Sequence, residues 1–328
     1  MIPRSLPVVD QPHPDESLFG FVLRMCGRNR LAGMTWLLGQ LGRRSITQLG
    51  ETDERAIAHV FGADPVAIER LVVRGGWMDG VQHHWAFGHQ ITRPYLLRLA
   101  RPQWCPLCLA DGGYARAAWE FQLSTACHIH GVALVDQCFA CGRRQRWQRT
   151  SLYSCGCGAS LSDARPAIAL DASLEVSAWI AQLLERGAVD RAGVPLAMPR
   201  GPWAGLAAGL SLDAGMRLLY AAGLRRDAGH RVGPGEARAG LTTLECRDAC
   251  VRGVERLERV RSGPSDEERR HLRELIHLPA LVAIASDGLE QADRQLARSI
   301  LEVGLGQPPA RGRFSGRRDN AQLELPGV

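Results

Sequence analysis

Apolar residues recur at helical spacing along most of the chain. Leu18, Phe19, Val22 and Leu23 repeat at intervals of one turn behind Asp15, which is placed to cap a helix running through Arg24. The stretch Asn29 to Gly33 ends it, and a second short helix covers Thr35 to Leu41. Thr52 or Asp53 opens a third through Phe61, after which Gly62 and Ala63 supply a tight turn. Asp64 then caps a fourth helix with Pro65 at its first position, and the pattern carries it to about Arg74, before Gly75 and Gly76. Two helices joined by so short a turn predict a helix-turn-helix. Asp64 to Arg74 takes the recognition position, with Arg70 and Arg74 as candidate nucleic-acid or partner contacts, although Glu69 dilutes their charge and plain scaffolding would show the same pattern.

Beyond a connector at residues 163–171, with Pro166 in its middle, helical periodicity resumes. It covers Ser173 to Arg186, Ser211 to Ala222 ended by Gly223, and Leu241 to Arg261. Ser265 and Glu268 form a capping box for the next helix, Pro279 divides it from its successor, and Leu289 to Val303 completes the set. From Gln307 onward Pro, Gly and Arg dominate, as in a mobile tail.

The middle of the chain obeys neither period; there the punctuation is cysteine. Cys105, Cys108, Cys127 and His130 are spaced C-x2-C-x18-C-x2-H, and Cys138, Cys141, Cys155 and Cys157 follow as C-x2-C-x13-C-x-C. Each set offers four soft donors, the number a closed tetrahedral structural zinc site takes, so two Zn2+ ions are expected. His128 is the alternative imidazole to His130. The tighter C-x-C pair is flanked by Gly156 and Gly158, which permit the unusual backbone it requires. A reducing compartment disfavours a disulfide framework. Both quartets are complete, which leaves no open position for a catalytic water, and no His-x-Glu precedes Cys105 as a zinc deaminase would need. Cys26, Cys246 and Cys250 lie on predicted helices and read as core residues.

These elements predict a mainly α fold. Residues 1–100 form an N-terminal helical domain with a helix-turn-helix, and residues 101–162 a tandem zinc-finger or zinc-ribbon module with short β-hairpins. Residues 163–306 form a C-terminal helical domain, and 307–328 a flexible tail.

Composition narrows the chemistry. The 328 residues are 45% hydrophobic and 23% charged, as in ordinary globular proteins. No run approaches the roughly 18 apolar residues of a membrane span. Pro3 and Pro7 interrupt an N-terminus without an apolar stretch, so no secretory signal is read and the cytoplasm is the expected compartment. All 40 basic side chains counted as Lys plus Arg are arginine. A chain without lysine cannot contain a Walker A loop or a Schiff-base centre, and any ATP hydrolysis must belong to a partner.

The net charge of +6 is unevenly placed: residues 93–165 carry nine arginines against four acids, whereas residues 1–92 carry nine of each. Within this basic middle, Arg143, Arg144, Arg146 and Arg149 flank Trp147 between the second set's cysteine pairs. A basic loop on a rigid metal base suits phosphate or an acidic protein face, whereas a solvated loop is the plainer reading. Trp104, Trp119 and Phe121 read as packing around the small metal cores.

The segment PHPDESLFGFVLR (Pro12 to Arg24) resembles the N-terminal signature of the TniQ/TnsD family. WCPLCLADGG, CHIHGVALVDQCFACG and CGCG resemble its tandem zinc fingers in order, so the likeness covers about residues 1–160, with C-x-C in place of the usual last C-x2-C. The resemblance implies a non-catalytic subunit that selects targets in bacterial DNA transposition. Such a subunit links target DNA, or a CRISPR Cascade-type effector bound there, to an AAA+ ATPase of the TnsC/TniB kind. It also admits a homodimer, and it implies no membrane. A zinc-ribbon, helix-turn-helix transcriptional regulator is the alternative from the residues alone, and an enzyme using one zinc is the third reading.

Overall fold

In the computed structural model the described residues are 5–46, 49, 51–78, 81–187, 201–230, 233 and 240–307. The tail expected from residue 307 lies, but for its first residue, outside them. The architecture is mainly helical with small antiparallel hairpins, as the periodicity predicts.

Helix α1 spans Leu18–Arg28, starting later than expected, because Ser17 and not Asp15 caps it: the Ser17 hydroxyl accepts from Gly20 N at 3.0 Å. Its apolar stripe buries Phe21, Val22 and Met25. Helix α2 covers Gly33–Gln40, α3 Glu51–Phe61 and α4 Pro65–Leu71, with Asp64 capping α4 through Val66 N.

The expected extension of α4 to Arg74 does not occur. Val72 leaves the helix in an extended conformation, and the chain enters a three-stranded antiparallel sheet: β1 Arg74–Met78, β2 Val81–Ala86 and β3 His89–Ile91. Adjacent β-branched valines and two glycines are poor helix formers. Cross-strand pairing of Arg74 with Trp85 and of His84 with Ile91 takes over. The helix-turn-helix thereby acquires a β-hairpin wing.

The cysteine-rich segment has little regular structure: a five-residue helix α5 (Pro106–Ala110) and a hairpin of two-residue strands, β4 (Ala126–Cys127) and β5 (Val132–Ala133). The C-terminal helices follow as α6 Asp171–Gly187, α7 Pro202–Ala207, α8 Leu212–Gly223 and α9 Thr243–Arg261. The last are α10 Asp266–Leu275, α11 Leu278–Asp287 and α12 Gln291–Ser299, the latter closing in a π-helical turn at Ile300–Gly304. The predicted Ser265–Glu268 capping box is present, as is one between Thr242 and Glu245. Helix α8 is buried along its whole length and lies against α9. A methyl group on Gly223 would sit 1.8 Å from the Ala249 carbonyl oxygen, so only glycine allows the two backbones to approach this closely.

Two hydrophobic cores result, each drawing on separated stretches of chain. One joins α1–α4 to the cysteine-rich segment through Trp104, Trp119 and Trp147. The other joins the end of the sheet, Leu96 and Phe121 to helices α6–α12 around Trp179, Trp203 and Tyr220. Cys26, Cys246 and Cys250 are buried, and burial pushes the Cys26 and Cys246 thiols up, to about 12 and about 11. Thr92, just past β3, donates from both its amide and its hydroxyl to Asp213 of α8, whose other partner is Arg217. No described helix is long and apolar enough to cross a membrane.

Glu120 lies between residues of the two cores, fully enclosed, and burial raises its carboxyl from 4.5 to about 8, with the Ser17 side chain as its hydrogen-bond partner. Between those two values the unfolded chain is ionised while the folded one keeps its proton. Stability therefore falls as pH rises through this window. Glu120→Gln is expected to flatten that fall, worth on the order of 3 kcal/mol near pH 7. Urea unfolding at several pH values checks it, and an unaltered pH dependence would mean that Glu120 is ionised in the fold.

Candidate metal centres and nucleic-acid surface

The eight ligands proposed from spacing converge on two points. The donor atoms of Cys105, Cys108, Cys127 and His130 all lie within 4.8 Å of one another, and so do those of Cys138, Cys141, Cys155 and Cys157. Each pair is presented by a tight local turn. Cys105 caps α5, with Pro106 as its first residue, and its sulfur accepts from Cys108 N at 3.5 Å. Cys127 ends β4, and the turn to β5 closes by Gly131 N donating to Cys127 O at 2.9 Å, which aims His130 back at the thiols. In the second set, Gly142 N donates to Cys138 O and Gly158 N to Cys155 O. Of the two glycines singled out near the C-x-C pair, Gly158 adopts positive φ, at 92°.

The spacings fit a tetrahedral ion. Sulfurs about 2.3 Å from zinc stand about 3.8 Å apart at the corners of a tetrahedron. The Sγ–Sγ distances are 3.6 Å for Cys108–Cys127, 3.7 Å for Cys138–Cys157 and 3.8 Å for Cys141–Cys155. None is near a disulfide bond length. His130 Nδ1 lies 3.2 Å from Cys108 Sγ and 3.6 Å from Cys127 Sγ. His128, the alternative imidazole, stands outside both groups.

Supporting contacts distinguish the two sites. His130 Nε2 faces Asp111 Oδ2 at 3.3 Å, the arrangement in which a carboxylate fixes the tautomer of a ligating imidazole. Asp111, three residues beyond Cys108, belongs to no ligand spacing in the sequence. Gln145 Nε2 donates to Cys155 Sγ at 3.2 Å, and nothing in the spacing marks that residue either. Arg143 hydrogen-bonds Cys141 and lowers its thiol to about 6. The first three cysteines are buried, whereas Cys141 and Cys157 are exposed.

The PHPDESLFGFVLR segment builds the seat for this module. Arg24 donates to both Glu16 oxygens at 2.8 and 2.7 Å and to Asp10 at 2.9 Å. Asp15 pairs with Arg116 and accepts from Tyr114, whose ring stacks on His13 at 4.0 Å. Ser17 N donates to Ala115 O at 2.8 Å. At the other end of the module, Met34 N of α2 donates to Arg149 O. Trp104, Trp119 and Phe121 are all buried, the first two in the core of the metal module and Phe121 in that of the C-terminal helices.

The six candidate contact arginines have different surroundings. Arg70 on α4 and Arg143 in the basic loop are exposed, and Arg146 is too. Arg74 is tied to Glu54 at 2.8 Å and Glu69 at 3.1 Å. Arg144 donates to Asp136, Gly240 O and Leu241 O. Arg149 lies over the Trp147 ring, and burial pulls it down to about 10. Between α4 and the hairpin a groove of about 580 Å³ is lined by Val66, Arg70, Arg74, Trp85 and Phe87.

If Asp111 orients His130, Asp111→Ala is expected to weaken metal binding at the first site by about 10- to 100-fold while leaving the stoichiometry at saturation unchanged. Competition with a chromophoric chelator measures this. His130→Ala should weaken that site and His128→Ala should not, and the reverse order would reassign the ligand.

No curated protein matches this chain. Residues 7–134 match the family model TniQ, a span that contains the Asp10–Arg24 ion pairs, the winged helix-turn-helix and the whole first ligand set, and ends before the second. Over this span the chain is similar to the TniQ domain of transposition proteins, and it has two Cys/His groups able to hold metal ions.

Proposed function

We propose that this protein is a non-catalytic target-selection and bridging subunit of DNA transposition, with two structural zinc ions as its resident metals. The TniQ domain implies a transposition-associated target-selection protein that interacts with DNA. The bridging role rests on one observation: the charged groups of the TniQ-like segment, Asp15, Glu16 and Arg24, with Asp10 just before it, are engaged in internal ion pairs, of which Asp15 with Arg116 ties the segment to the metal module. They build a rigid platform. One complete set of three cysteines with a histidine, and one of four cysteines, suit ions that hold loops in place, since each donor set closes a tetrahedron by itself. The exposed Arg70 beside the hairpin then offers one face to DNA, and the C-terminal helices remain for protein partners.

In this reading the lysine-free chain relies on an AAA+ ATPase for nucleotide hydrolysis, and the target reaches it either as DNA or through an RNA-guided effector. The wing added to the helix-turn-helix favours, as the second reading, a DNA-binding transcriptional regulator.

Tagged protein co-expressed with a candidate AAA+ ATPase partner is expected to retain that ATPase. Failure to retain it, together with tight sequence-specific operator binding, would establish the regulator instead. Arg70→Ala is expected to weaken duplex DNA binding and to reduce the slope of log affinity against log salt by about 0.9, the effect of one lost phosphate contact. An unchanged slope would remove α4 from the DNA-binding face.

A further inference from the structure

Residues 136–145 form a short knuckle around Cys138 and Cys141. Gln137 bridges to Arg144, Cys138 N donates to Arg143 O at 3.0 Å, and Gln145 N donates to Asp136 O at 3.0 Å. A hairpin this small does not hold its shape in isolation. It meets the other ligand pair through Gln145 Nε2, which donates to Cys155 Sγ at 3.2 Å, and through facing sulfurs, Cys138 with Cys157 at 3.7 Å and Cys141 with Cys155 at 3.8 Å. Four sulfurs closed on one ion turn that contact into a cross-link.

The base of the same knuckle holds the start of α9. Asp136, 6% exposed, accepts from Thr243 N, the first amide of the helix, at 3.2 Å, and it pairs with Arg98 and Arg144. Arg144 directs Nη1 and Nη2 to the carbonyls of Gly240 and Leu241, just ahead of the helix, at 2.7 and 2.8 Å. Asp136 and Arg144 stand on opposite sides of the knuckle, so both contacts depend on its conformation. Farther along, α9 lies against α8, where the close approach at Gly223 involves no residue of the metal module.

The first ligand set stands in a similar relation to α6. Thr125 Oγ1 lies 2.6 Å from Ser173 Oγ, and Ala126 N, one residue before Cys127, donates to Ser177 Oγ at 3.0 Å. Access separates the two sets: Cys105, Cys108 and Cys127 are buried, whereas Cys141 and Cys157 are exposed. A chelator in solution therefore reaches the second set before the first.

We propose that the second metal centre is a latch on α9. With an ion bound there, the knuckle presents Asp136 and Arg144 to residues 240–243; with the ion removed, the first turn of α9 is released, while α6 stays seated and the rest of α9 stays packed on α8. Occupancy of the second set is thus read at the joint between the metal module and the C-terminal helices. This inference rests on the proposed reading of that set as a zinc site and adds a conformational consequence to it.

The test uses the full chain loaded with two zinc ions, then treated with a chromophoric chelator until one equivalent has been taken up, with amide hydrogen exchange followed peptide by peptide. Peptides covering residues 240–247 are expected to exchange about tenfold faster than in the loaded chain, the effect of losing one buried hydrogen bond, and those covering residues 173–179 to be unchanged. Returning zinc should restore the protection. Cys157→Ser, which lacks a ligand of the second set, should behave as the one-zinc chain. Arg144→Ala should speed exchange at residues 240–247 while keeping both zinc ions, whereas Arg146→Ala, exposed and two residues on, should not.

Unchanged exchange at the start of α9 in the one-zinc chain would overturn the latch, and so would an equal loss of protection at α6, the mark of a general loosening. A chain that never takes up more than one zinc ion would overturn the zinc reading of the second set and the latch with it. Metal stoichiometry, measured separately, tells these failures apart.

Discussion

Convergence of eight donor side chains onto two points is the constraint on which the middle of this protein depends. Between Cys105 and Cys157 the regular α and β structure amounts to one five-residue helix and two strands of two residues each. Such elements cannot hold themselves together, and a segment this short buries too little apolar surface to form its own core. Ligand spacings that match the edges of a metal tetrahedron supply what secondary structure does not. The tryptophans packed around the two sites then extend this local order into the core shared with α1–α4.

Charged residues do much of the joining between parts. Arg24 with Glu16 and Asp10, Asp15 with Arg116, Asp136 with Arg98 and Arg144, and Arg217 with Asp287 each connect elements or close a junction. Buried pairs of this kind contribute little net stability against the cost of desolvation, but breaking one leaves an uncompensated charge. Their value lies in fixing geometry. A junction closed by a bidentate arginine has one register, whereas apolar surfaces can slide.

Features that depend on local chemistry are legible in the sequence. The capping box at Ser265, the proline-led start of α4 and the helices of the C-terminal half follow from spacing and cap residues a few positions apart. Both ligand sets follow from cysteine spacing, because a tetrahedral ion demands pairs separated by a turn. The sheet at residues 74–91 is not legible, since Val72 and Val73 continue the apolar pattern of α4 and Gly75 and Gly76 read equally well as a stop. The contribution of Asp136 cannot be read at all. Its partners Arg98 and Thr243 are separated from it by 38 and 107 positions, and only the tertiary fold brings them together. The basic loop shows the same limit: four arginines that look alike in sequence become an exposed pair, one anchored in an ion-pair network and one lying over a tryptophan ring.

The first amide of α9 rests on the carboxylate of Asp136, which gives that helix a mechanical role. Nineteen residues of α-helix extend about 28 Å, so a tilt of ~5° at the seated end moves the far end by ~2.5 Å. The far end carries Val260, packed under the π-helical turn that closes α12. The seat at Asp136, the close approach to α8 at Gly223 and the contact at Val260 therefore fix α9 at its start, middle and end, so that the helix ties the edge of the metal module to the far side of the helical half.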